Sequence, residues 1–106
     1  MDESEFNKIA DLTLTQVEQV VEQLDLDLDL ELKPGGVLEI EFGNGSKVIV
    51  NRHGVAREIW VAAKSGGYHF KAQAGRWVGT RDGRDLFAVL AEVISQQAGC
   101  SVSLSV

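Results

Sequence analysis

Apolar side chains fall at Phe6, Ile9, Ala10, Val17, Val20, Val21 and Leu24, with Thr13 a tolerable polar member of the same stripe. That three-and-four spacing predicts an amphipathic helix over about residues 3–24. Asp2 with Glu5 three residues on has the pattern of a capping box, and the early acids suit the positive end of the helix dipole. After Leu24 the period changes to two. Leu26, Leu28, Leu30 and Leu32 alternate with Asp25, Asp27, Asp29, Glu31 and Lys33, which predicts a half-buried strand with an acidic outer face.

Pro34-Gly35-Gly36 turns the chain into a second strand over residues 37–42, and Gly43-Asn44-Gly45-Ser46 is a hairpin signal leading to a third over 47–51. A loop through His53 and Gly54 precedes a strand over 58–62. Lys64-Ser65-Gly66-Gly67 then turns into Tyr68-His69-Phe70-Lys71, and Arg76-Trp77-Val78 is a short last strand. Asp82 is expected to cap a second helix, with Asp85 at its third position, apolar residues at Leu86, Phe87, Val89, Leu90, Val93 and Ile94, and Gly99 as its stop.

The order helix, strands, helix predicts an α+β fold. It is a two-layer α-β sandwich in which the N- and C-terminal helices cover one face of a five- to six-stranded antiparallel sheet. The other face is left to solvent or a partner. The tail from Ser101 to Val106 alternates with period two, and Val102 and Leu104 are expected against the gap between the helices. With no repeat or linker, residues 1–106 read as a single domain.

The chain has 106 residues, 44% of them apolar, which is the make-up of one globular domain. No apolar stretch approaches the roughly 20 residues of a membrane helix. An acidic start and one Cys point to a cytoplasmic protein. The net charge of −6 disfavours nucleic acid, whose binding rests on Lys and Arg. That charge is uneven: residues 1–31 hold ten acids and one base, Lys8, so the remainder is net positive. Such asymmetry marks a surface for cations or for a basic partner, the bland alternative being a solvated face.

Glu18, Glu22 and Asp25 are spaced by four and three, and Asp11 precedes Glu18 by seven, so the four lie near one stripe if the helix reaches that far. Like charges so placed oppose folding slightly, which makes them informative. Carboxylates are hard ligands suited to iron, magnesium, manganese or calcium, and an exposed ridge of them predicts weak binding of several ions. His53 and His69 have no Cys or Ser partner at a recognisable spacing, and Cys100 stands alone. The Gly pairs sit at hairpin turns, so no phosphate loop is present and no enzyme constellation emerges. Trp60 is different. If Ile59 and Val61 face the helices, Trp60 points onto the open sheet face, where it is either a binding anchor or plain surface cover. Trp77, Tyr68 and Phe70 are expected in the core.

The acidic helix running into an acidic strand, then Asn44-Gly45-Ser46-Lys47, Val50-Asn51-Arg52, Ile59-Trp60-Val61-Ala62, Gly66-Gly67-Tyr68-His69-Phe70 and the Trp77 strand, resemble the frataxin family, nearest its bacterial branch, CyaY. The resemblance covers essentially the whole chain. It implies an α-β sandwich and a role in iron-sulfur cluster assembly, as a regulator or iron carrier rather than an enzyme. It places ferrous or ferric iron, with other divalent cations as possible ligands, on Glu18, Glu22, Asp25, Asp27, Asp29 and Glu31, a ridge that Asp11 extends upstream by spacing. It places a partner contact on Asn51, Arg52 and Trp60, with Glu18, Glu22 and Asp25 meeting a basic surface of the cysteine desulfurase. The scaffold protein is a further implied partner. The expected state is a monomer that iron can bring together. Three departures stand out: Glu58 replaces the usual Gln before Ile-Trp, Asn7 stands where some relatives have a metal-assisting His, and Gln19 and Gln23 dilute the helix acids. The rival readings are a metal-independent acidic adaptor and an iron-oxidising storage protein.

Overall fold

The computed structural model describes residues 1–104. Helix α1 spans Glu3–Glu22. Six strands follow, β1 Leu28–Lys33, β2 Val37–Phe42, β3 Lys47–His53, β4 Glu58–Ala63, β5 Gly66–Gln73 and β6 Arg76–Gly79, and α2 Leu86–Ala98 closes the order. The strands form one antiparallel meander in the order β1 to β6. Its core lies on the helix side. Leu38, Ile40, Val48, Val50, Ile59, Val61 and Phe70 alternate inward to meet Phe6, Leu14, Val17 and Val21 of α1 and Leu86, Leu90, Val93 and Ile94 of α2. Fully burying a side chain of that size is worth about 1.5–3 kcal/mol, so this layer carries the fold.

Both helix starts are capped by Asp. The Asp2 carboxylate accepts from Glu5 N at 2.8 Å, as the capping pattern predicts. The second helix corrects an expectation: its cap is Asp85, accepting from Phe87 N, while the Asp82 carboxylate accepts from Arg84 N in the preceding loop. The physical reason is that Asp85 is still extended and bridged to Val78 of β6, so helical backbone starts only at Leu86. Gly99 ends the helix in the left-handed region at φ 75°, where glycine is favoured.

Helix α1 stops at Glu22 rather than Leu24, and β1 starts at Leu28, so Asp25 and Asp27 lie in the connection between them. Leu32 is 42% exposed, because β1 is an edge strand that α1 only partly covers. Val102 and Leu104 pack against the core, with Val102 N donating to Ser95 Oγ of α2, whereas Ser105 and Val106 lie outside the described residues.

Two buried polar side chains tie the layers together. Trp77 Nε1 donates to Thr13 Oγ1 at 2.7 Å, and the Thr13 hydroxyl donates to Ile9 O. Gln97 Oε1 accepts from Lys64 N, and its Nε2 donates to Ser46 Oγ and Lys47 O, so one amide holds the β2–β3 and β4–β5 turns against α2.

Candidate functional site

Residues 18–31 contain no Lys, Arg or His. Glu18 and Glu22 sit in the last turns of α1, where no base offsets them and where the dipole's negative end disfavours acids. Asp25 and Asp27 continue in the connection, and Gly43 has no side chain where the Asp27 carboxylate lies over it. Asp29 and Glu31 then project from the edge strand. The ridge is therefore continuous along the chain but passes through a helix end, a connection and a strand. Among the described residues no three His, Cys, Asp or Glu side chains converge as a metal cage.

The β1–β2 register adds two acids that the sequence reading did not name. Asp29 lies opposite Glu41 and Glu31 opposite Glu39, so four carboxylates line a shallow depression on the open sheet face. The signal was present in the alternation of Leu38-Glu39-Ile40-Glu41-Phe42. Glu39 is already balanced by Lys33 at 2.8 Å and Lys47 at 2.9 Å. The hydrogen bond from Lys33, then that from Lys47, holds its carboxyl at about 2. Glu41 forms no ion pair among the described residues, although Lys47 lies opposite it on β3.

Asp11 differs from the other ridge acids in having a partner, since its Oδ1 accepts from Arg52 Nε at 2.8 Å. Arg52 continues the inward phase of Val48 and Val50, placing it on the helix side of β3 and close over Gly36. Asn51 is on the other side, in register with Trp60. Of the three residues implied as a partner contact, Asn51 and Trp60 come together and Arg52 does not join them.

Trp60 points away from the helices, as its strand phase predicts. It is sandwiched between His53, at 4.0 Å between ring centres and 13° between planes, and His69, at 4.3 Å and 7°. The indole Nε1 donates to Glu58 Oε1 at 2.7 Å, and the same oxygen lies 3.6 Å from His69 Nδ1. Both histidines, unassigned on sequence grounds, thus belong to the aromatic centre of the open face. Register is the signal that joins them, since Trp60 lies opposite His69 and Asn51 beside His53. Cys100 is exposed and free.

The frataxin-like domain family matches residues 1–100. The chain is 52% identical to the iron-sulfur cluster assembly protein CyaY of Dechloromonas aromatica, over 98% of this chain and 99% of that relative. Among solved structures, frataxin from Psychromonas ingrahamii superposes with a TM-score of 0.89 at 29% identity, covering all of both chains. Trimeric frataxin from the yeast Saccharomyces cerevisiae, complexed with ferrous iron, superposes with a TM-score of 0.66 at 27% identity over 93% of this chain and 88% of that one. A family match over residues 1–100, a relative identical at about half of the aligned positions and a shared two-helix, six-strand architecture lead to one conclusion: the chain belongs to the frataxin family.

Proposed function

We propose that this protein binds iron weakly on its acidic ridge and serves iron-sulfur cluster assembly by regulating the cysteine desulfurase, delivering iron, or both. One observation carries the reading: none of Glu18, Glu22, Asp25, Asp27, Asp29 or Glu31 is in an ion pair, while every ion pair among the described residues lies elsewhere. A chain that pairs Asp11, Glu39, Glu58, Asp85 and Glu92 but leaves six neighbouring acids without a pair favours an external cation or a basic surface as their partner. Their hard oxygen donors suit iron, and their open geometry suits several weak sites. The names and the bound ferrous ion of the relatives support iron as the cargo and the assembly machinery as the setting. The protein acts through binding, with no catalytic centre of its own. The open face around Asn51 and Trp60 is the second contact with the desulfurase, and ridge carboxylates are shared between ion and partner.

The test is an anaerobic NMR titration with ferrous iron followed by desulfurase. Iron should broaden amides from Glu18 to Glu31 and at Glu41 and spare α2. Desulfurase should then perturb the ridge together with Asn51 and Trp60. Broadening centred on His53, His69 or Cys100 would refute the ridge as the iron site.

A further inference from the structure

We propose that Trp60 meets its protein partner by the edge of its indole, with His53 and His69 inside the contact, and that the group received there is an Asp or Glu carboxylate of the partner. This rests on the open sheet face being the partner surface. Both flat faces of the indole are already occupied, at 4.0 Å by His53 and at 4.3 Å by His69. A partner aromatic or guanidinium therefore has no free face of Trp60 to stack on. What remains is the rim of three nearly parallel rings. Aromatic edges carry the positive part of the ring quadrupole, so they favour an electron-rich group.

The hydrogen-bonding state of each ring sharpens this. Glu58 Oε1 accepts the indole N–H, and the Glu58 side chain is only 14% exposed, so Trp60 is pinned and its donor is spent. His53 Nδ1 accepts from Ala56 N at 3.3 Å, which assigns the ring proton of a neutral His53 to Nε2. That Nε2 has no partner among the described residues, and the one buried orphan there is Asn7 Oδ1, so the His53 N–H meets solvent as an unused donor. Lys71 lies on the same face, two residues beyond His69 and opposite Glu58. Residues 64–84 hold Lys64, Lys71, Arg76, Arg81 and Arg84 against one acid, Asp82. Arg76 and Arg84 are paired with Asp85 and Glu92, whereas Lys64, Lys71 and Arg81 have no ion pair among the described residues. The stack is thus a donor surface on the basic flank of the sheet, with the acidic ridge on the opposite flank. A partner must present base and acid in the reverse order, which fixes the orientation of docking.

Calorimetric titration with purified cysteine desulfurase at neutral pH tests this. Trp60→Ala should weaken binding, which checks the surface itself. His53→Phe keeps a ring against the indole but removes the donor, and it should weaken binding about tenfold. The Trp60 Nε1–H NMR signal verifies that the stack survives. His53→Ala and His69→Ala each uncover a face of the indole and should weaken binding too, and Lys71→Glu should weaken it by repelling the carboxylate. Tighter or unchanged binding by either Ala variant would overturn the proposal, because it would mean that the partner uses the indole face. Unchanged binding by His53→Phe, or tighter binding by Lys71→Glu, would overturn it equally. If Trp60→Ala binds like the parent, the partner-surface reading falls, and this proposal with it. If Trp60→Ala alone is weak, only the edge-on contact falls.

Discussion

Arg52 reaches from β3 to Asp11 on α1, its Nε donating to Asp11 Oδ1 at 2.8 Å across 41 residues of sequence. The Asp11 side chain is 54% exposed, in the range where ion pairs contribute about 0.2–1 kcal/mol. Asp11→Asn should therefore cost no more than about 1 kcal/mol by thermal melting. It should also leave the ferrous broadening of the Glu18 to Glu31 amides intact. Loss of that broadening would show that Asp11 belongs to the ion site despite its partner.

The pairing of Asp29 with Glu41 sets two like charges directly opposite each other on neighbouring strands. Such pairs destabilise by roughly 0.2–1 kcal/mol. Replacing them together, Asp29→Asn with Glu41→Gln, should raise the melting temperature by about 1–5 °C without cations and shrink the gain from adding ferrous iron. A cation at 100 times its dissociation constant stabilises by about 2.7 kcal/mol, so the shrinkage is measurable by calorimetry. A double variant that melts lower and responds fully to iron would contradict the ridge as a repulsive, ion-binding surface.

Glu39 contributes to the acid limb of stability. Its carboxyl is held at about 2 by the hydrogen bonds from Lys33 and Lys47, against an ordinary value of 4.5. A lowered carboxyl pKa contributes stability above the unfolded value, and that contribution disappears as pH falls toward the folded one. Glu39→Gln should lower the melting temperature at neutral pH and flatten its decline between pH 4.5 and about 2. Melting curves of parent and variant at matched ionic strength would check this.

The Trp77–Thr13 bond is buried at both ends. Thr13→Val keeps the shape but strands the indole N–H, and leaving a buried donor unpaired costs about 1–3 kcal/mol. Thr13→Ser should retain most of the stability. Urea denaturation followed by tryptophan fluorescence separates the two, and equal midpoints for Val and Ser would show that packing alone holds Trp77.

Local periodicity determined much of this protein. The three-and-four spacing from Phe6 to Val21, the alternation of Leu with Asp after Leu26, and glycine turns at Gly35-Gly36 and Gly43-x-Gly45 specify a helix and hairpins through nearest-neighbour geometry. The same alternation put Trp60 on the open face and the ridge acids outside the core. Tertiary structure decided what lies beyond the reach of periodicity. Cross-strand register brought Glu41 to Asp29 and closed His53 and His69 over Trp60. The sheet bridge from Val78 delayed α2 and moved its cap from Asp82 to Asp85. Packing of α1 over the sheet gave Asp11 a partner in Arg52. Each of these depends on residues far apart in the chain meeting at hydrogen-bond or stacking distance, and strand pairing and helix docking create that proximity where spacing along the sequence does not encode it.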